Sequence, residues 1–244
     1  LFMSIEEQDP IQVQRDRLLS ALKPMYVLVV DAGAGTTDIS IIRYDYRKET
    51  KLIEAETIAR QGFIAGGHEI SRALSALWKE KLGECLQEQG YQEHHIHQTL
   101  CTLVTPEERI RQTQEEINRR KKLMLYLYEL AEYEKHRAAD PSMSSGGEVE
   151  LIYAKILQQI KIDDNLDGEV LNQALSLSTE ELERVCAEVL GSALIGAVDL
   201  PAQHGVKQLD QIFLLGRTLR LPKVTEAFVD ALKDRIKTLR VDVG

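Results

Sequence analysis

Residues 27 to 42, VLVVDAGAGTTDISII, constrain the fold of this chain more than any other stretch. An apolar run ends at Asp31, a short turn holds Gly33 and Gly35 with Thr36 and Thr37, and Asp38 opens a second, alternating apolar run. The pattern reads as strand, tight glycine turn, strand. Glycines lacking Cβ let backbone N–H groups crowd round an anion, threonine hydroxyls add donors, and the two carboxylates bracket the place where a phosphate-bound metal ion sits. Two readings fit: a nucleotide-phosphate loop, and an ordinary hairpin, since Gly-x-Gly turns between apolar strands are common.

Composition narrows the setting. A chain of 244 residues, 43% of them apolar, is long enough for one large domain or two lobes around a sizeable core. No apolar run approaches the roughly 20 residues that span a bilayer, and no secretory pattern opens the chain, so a soluble protein is expected, with no membrane partner. Cys85, Cys101 and Cys186 are widely spaced and odd in number, which argues for a reducing compartment, by default the cytoplasm. Thirty basic against 39 acidic residues leave a net charge of −9, which offers a nucleic-acid partner no general electrostatic support. The one basic cluster, Arg119 to Lys122, sits among glutamates and reads as a solvated helix face. The start at Leu1, without an initiator methionine, suggests an excised piece or a trimmed chain.

Along the chain, Asp9 and Pro10 cap a lead-in helix that ends before Pro24. Strands are predicted at about Tyr26 to Asp31, Asp38 to Tyr44 and Leu52 to Ala59. GFIAGGHEI then places Gly66-Gly67 before a helix running from near His68 to about Glu88. Paired glycines at a helix N-terminus suit an anion, or a plain loop needing positive φ. Thr105-Pro106-Glu107-Glu108 starts a helix predicted to run unbroken to about Ala139, with Ile110, Ile117, Met124 and Ala131 as its buried seam. His94, His95 and His97 lack a carboxylate or cysteine at zinc-like spacing.

After the loop DPSMSSGG, EVELIYA and EVLNQALSLS read as strands. Ser178 with Glu181 forms a capping box for a helix to about Val198, and residues 201 to 205 form a hinge-like break. QIFLLG returns as a buried strand, Pro222 opens a helix to about Lys237, and LRVDV closes as a strand. The expected organisation is a lead-in helix over 1–24, a sheet subdomain from 25–67 and 201–244, and an inserted helical lobe with a small sheet over 68–200.

Five segments in order carry a family resemblance. DAGAGTTDIS resembles the second phosphate motif of the actin-like ATPase superfamily, and AGGHEISRAL resembles the seventy-kilodalton heat-shock chaperones, which have a Gly-Gly-acidic helix start there. LAEYEKHRAA, LSLSTEELERVCAEVL and IFLLGRTLRLPKV fit the same family in the same order, the last being similar to its adenosine motif.

The resemblance implies an α/β fold: half of an actin-like, ribonuclease H-like ATPase domain, with a mixed sheet flanked by helices and an inserted α+β lobe. By that resemblance Asp31 and Asp38 position a metal ion or its water, and Thr36 lies near the γ-phosphate. Gly33, Gly35 and Thr37 belong to the phosphate cradle, with Gly66 and Gly67 meeting the phosphates from the inserted lobe. Glu132 and Lys135 match a pair that contacts the nucleoside, and Gly216, Arg217, Thr218 and Arg220 match the adenosine loop. The implied cofactors are ATP or ADP with Mg2+, and the implied partners are the first half of the same nucleotide-binding domain, client proteins and co-chaperones.

Departures shape the expectation. Ala34 stands where a third glycine is usual, Arg217 where the adenosine motif has its second glycine, and His136 where an arginine is common. The complete parent is expected to bind and hydrolyse ATP to drive lobe closure, while this half alone does not hydrolyse it. Two alternatives stay open: a non-catalytic regulatory or scaffold relative that lost the nucleotide, motivated by Arg217, and a filament-forming actin-like cell-division protein.

Overall fold

The computed structural model describes residues 23–47, 49–50, 52–100, 113–140, 142, 147–160, 167–221 and 223–233. The predicted lead-in helix, the Thr105 helix start, Cys101, Pro222 and the closing LRVDV lie outside the described residues. Over what is described the chain is α/β, and it divides into two compact units. The first takes described residues from Leu1–Ile64, Ser192–Leu219 and Thr225–Gly244, and the second from Ala65–Gly191 and Arg220–Val224.

In the first unit, strands β1 (Met25–Ala32), β2 (Thr37–Arg47) and β3 (Leu52–Phe63) form an antiparallel meander, and β4 (Gln211–Leu215) joins it on the far side of β1. The order is β3-β2-β1-β4, with β4 parallel to β1. A strand paired on both edges and covered on its faces must be apolar, and Val27, Leu28, Val30 and Ala32 of β1 are buried. Ile39 and Ile41 of β2 and Ile212 and Leu214 of β4 extend that core. Asp210 locks the start of β4 to β1: its N–H donates to the Tyr26 carbonyl at 2.8 Å, and its carboxylate accepts from the Tyr26 N–H at 2.8 Å. β3 is mostly exposed, as suits an edge strand among the described residues.

The regular elements of the second unit are all helices among its described residues. Helix α1 (Gly67–Glu88) buries Ile70, Leu74, Trp78 and Leu82, four residues apart and so on one stripe. Helix α2 (Glu93–Leu100) follows, then α3 (Gln114–Ala139), α4 (Glu148–Ile160) and α5 (Gly168–Ala174). α1 packs on α3 and α5, and α3 on α4. Helix α6 (Thr179–Gln203) runs through the division between the units. Its predicted capping box is present: the Ser178 N–H donates to Glu181 at 2.8 Å and the Glu181 N–H to Ser178 Oγ at 3.1 Å.

Several expectations need correction. The two segments read as a small sheet in the inserted lobe are α4 and α5, and the lobe has no strand among its described residues. The alternation of VELIY misled because the deciding apolar set, Ile152, Ile156 and Ile160, recurs every four residues and is buried. The helix ending at Ala139 does not run unbroken from Thr105. Thr113 is extended and caps α3, its side chain accepting from the Glu116 N–H while Glu116 accepts from the Thr113 N–H. The buried stripe of α3 is Leu123, Leu127, Leu130 and Ala131, so the seven-residue seam is too narrow.

The break after α6 falls at Gly205, with φ +72°, while Pro201 stays inside the last helical turn. Against the expectation that no stretch suits a bilayer, α6 is long and apolar enough by length and composition to cross one. Of that window 44% is buried.

Helix and strand readings of α4 separate by mutation. Ile156 is fully buried and Leu151 is 57% exposed, so Ile156→Ala is expected to cost about 2–5 kcal/mol in urea unfolding. Leu151→Ala should stay within about 0.5 kcal/mol. Equal costs would restore the strand reading.

Candidate functional site

The glycine turn sits at one end of β1 and β2. Ala32 pairs with Thr37 and Asp31 with Asp38, so the connecting loop is residues 33–36, closed by the Gly33 N–H donating to the Thr36 carbonyl at 2.9 Å. Residues directly opposite in an antiparallel ladder share a face. The two aspartates are therefore a cross-strand pair on one face of the sheet at the mouth of the turn.

The turn glycines are not required by the backbone. Neither Gly33 nor Gly35 has positive φ. A Cβ at Gly35 would meet nothing within 4 Å, and one at Gly33 would make only ordinary contact, at 3.5 Å from the Thr36 carbonyl. Neither the backbone nor internal packing requires glycine here. The same holds for φ at Gly66, which is extended at −168°.

Gly216 is the opposite case. Its φ is +96°, and a Cβ there would lie 2.3 Å from the Ala32 carbonyl oxygen and 3.0 Å from Asp31 Oδ1. β4 therefore ends by laying its backbone directly on the end of β1. The 3-10 turn that follows, Arg217–Arg220, adds the Thr218 hydroxyl, which donates to the Gly33 carbonyl at 2.9 Å. Two segments 185 residues apart thus meet within the first unit. Arg217 is exposed on this turn, and so is Arg220, which belongs with Asp140 to the second unit. The Arg220 charge helps hold the Asp140 carboxyl below its ordinary range, after hydrogen bonds from Ser142.

Other predicted residues of this unit are placed as follows. Thr37 is fully buried beneath the turn, so its side chain is not part of the exposed group. The exposed Thr36 hydroxyl lies 3.4 Å from Asp38 Oδ2. Two residues missed in the sequence border Asp38: Arg60, whose guanidinium donates to Asp38 Oδ1 at 3.2 Å, and Gly62, where a Cβ would lie 3.4 Å from the same oxygen. Gly62 falls in β3 opposite Asp38, not in a loop. The available signal was strand alternation, which places residues 60 and 62 on one face.

Gly67, Glu132 and Lys135 belong to the second unit, where they join one part-buried network. Lys135, only 10% exposed, donates to the Gly67 carbonyl at 2.7 Å and to Glu132 Oε1 at 2.8 Å. Ser71 Oγ lies 2.5 Å from Glu132 Oε1 and 3.0 Å from the Gly67 carbonyl, with one proton to serve either. Burial would raise the Glu132 carboxyl, but hydrogen bonds from Lys135 and Ser71 and the nearby positive charge outweigh it and hold it below its ordinary range. Tyr128 bonds His68 Nδ1 at 2.6 Å, and burial with the Glu132 charge pushes its phenol up. The network fastens the first turn of α1 to α3. Nothing in the sequence singled out Ser71, His68 or Tyr128.

Buried thiols lie outside both groups. Burial pushes Cys186 up to about 12 and raises Cys85 as well, which makes them inert core residues. Among the described residues no cluster of three or more His, Cys, Asp or Glu side chains is arranged to hold a metal ion. Magnesium commonly rests on one or two carboxylates plus phosphate oxygens, so Asp31 and Asp38 are the donors present, Asp38 already bearing Arg60.

No protein-family model matches this chain, and no curated protein matches it significantly.

The contrast between the glycines is measurable. Gly216→Ala forces a side chain into positive φ and against a backbone oxygen, and is expected to cost about 3 kcal/mol in urea unfolding. Gly35→Ala should stay within about 0.5 kcal/mol. A Gly216→Ala protein as stable as wild type would contradict the packing of β4 on β1.

Proposed function

We propose that this chain is the second half of an actin-like ATP-binding domain of the seventy-kilodalton heat-shock chaperone type. The observation that carries the reading is a turn whose glycines serve no need of the chain itself. Gly35 leaves open space, neither positive φ nor packing demands glycine at Gly33 or Gly35, and close approach of a ligand is one reason for glycine at such a place. Support also comes from Gly216 and Thr218. The segment resembling the adenosine motif packs on the segment resembling the phosphate motif through the Ala32 and Gly33 carbonyls.

In this reading the backbone N–H groups of residues 34–36 and the Thr36 hydroxyl hold phosphate oxygens, the Gly33 N–H being taken by the Thr36 carbonyl. Asp31, exposed at the end of β1, accepts hydrogen bonds from water and so orients it toward phosphorus. Fixed donors around the phosphoryl group stabilise charge that builds during transfer, provided the first half of the domain closes the site. ATP or ADP, with magnesium accompanying the phosphates, is the proposed ligand, and client proteins and co-chaperones are the proposed partners of the whole. Gly66, Gly67, Glu132 and Lys135 are proposed, by the resemblance alone, to contact nucleotide.

Calorimetric titration of the complete polypeptide with ATP and ADP tests this. Binding heat is expected, with Gly35→Ala weakening affinity at least about tenfold while leaving stability unchanged. Absence of heat with both nucleotides would remove the proposal.

A further inference from the structure

The carboxylate pair at the mouth of the glycine turn is not symmetric. Asp31 forms no ion pair with any described residue, whereas Asp38 meets Arg60 at 3.2 Å, the two side chains being 42% and 70% exposed respectively. Strand register explains the contact. Asp38 faces Gly62 across the ladder and Arg60 faces Ser40, one same-face step behind. With no side chain at Gly62, the guanidinium has a clear path over β3 to Asp38. A Cβ at Gly62 would come within 3.4 Å of the oxygen Arg60 holds.

This contact bears on the cation that a phosphate loop needs. A guanidinium stays charged at all working pH values and presents five donors, of which Asp38 Oδ1 takes one. The others suit phosphate oxygens, which arginine binds in paired, charge-assisted fashion. A magnesium ion on the same oxygen would sit within a few ångströms of that positive charge and would need near-ideal octahedral geometry besides. Asp38 Oδ2 is in turn 3.4 Å from the Thr36 hydroxyl. Both oxygens of Asp38 thus face neighbours within the chain.

We infer that Arg60 is the resident cation of this turn, a specificity-determining residue that keeps Asp38 from metal and makes phosphate binding here nearly independent of magnesium. The inference rests on the phosphate-loop reading and departs from the expectation that Asp31 and Asp38 share a metal ion. Magnesium brought in by a nucleotide then has Asp31 alone of the pair.

Two measurements on the complete polypeptide test it. In the first, ATP affinity is compared in excess Mg2+ and in EDTA: wild type should show a ratio within about threefold, and Arg60→Ala a ratio larger by about fivefold, the size of one exposed ion pair. Arg60→Lys, which keeps the charge, should follow wild type. The second uses Mn2+ alone, read as paramagnetic broadening of the amide signals of residues 31 to 38, which should be weak in wild type and strong in Arg60→Ala.

An equal magnesium dependence in wild type and Arg60→Ala, or equal Mn2+ broadening in both, overturns the role of Arg60. No ATP binding in any variant overturns the phosphate-loop reading and the magnesium claim with it. The Mn2+ result then still decides whether Arg60 excludes metal from Asp38.

Discussion

The close approach of Gly216 to the Ala32 carbonyl is the contact on which the rest of the first unit depends. Only a residue without a side chain can turn there, because a Cβ would stand 2.3 Å from a backbone oxygen that has no freedom to move away. That approach lets Thr218 reach the Gly33 carbonyl and so shapes the loop from behind. It also leaves the Asp31 carboxylate bordered by Gly216, as Gly62 borders Asp38. The acidic pair is flanked by Gly62 in β3 and by Gly216 just past β4.

Polar groups are used differently in the second unit. Lys135, Glu132 and Ser71 satisfy one another and the Gly67 carbonyl within hydrogen-bond distance, and Lys135 is almost wholly removed from solvent. Burying a lysine is costly unless its donors are matched, and here a carboxylate and a carbonyl match them. Removing any one member would strand the others, so the cluster acts as a fastening between α1 and α3 whatever else it does. The turn of the first unit has the opposite character, with Asp31, Thr36 and Gly35 exposed.

Much of the first unit was legible because its signals are local. The apolar run of β1, the Gly-x-Gly turn and the alternation of β2 each depend on neighbours within a few residues, and the Ser178–Glu181 capping box is as local. The helical lobe was harder. In α4 the alternation of Val149, Leu151 and Tyr153 competes with the four-residue spacing of Ile152, Ile156 and Ile160, and burial against α3 decides for the helix. Thr113 was passed over because a helical pattern upstream hid its cap. Arg60 was illegible for another reason: its partner is 22 residues away, and only the register of β2 against β3 brings them together. The meaning of the glycines was equally hidden, since sequence does not distinguish Gly216, required by backbone geometry, from Gly35, which no contact in the chain requires.

That distinction carries the central proposal, that the turn of Gly33 and Gly35 receives a phosphate group. Amide hydrogen exchange of the complete polypeptide, followed residue by residue with and without ATP, tests it most directly. The account predicts slowed exchange concentrated at residues 33 to 37 and 216 to 218, where the turn and its docked partner would close on the ligand. Protection confined to other parts of the chain, or no change at this turn at saturating ATP, would contradict it.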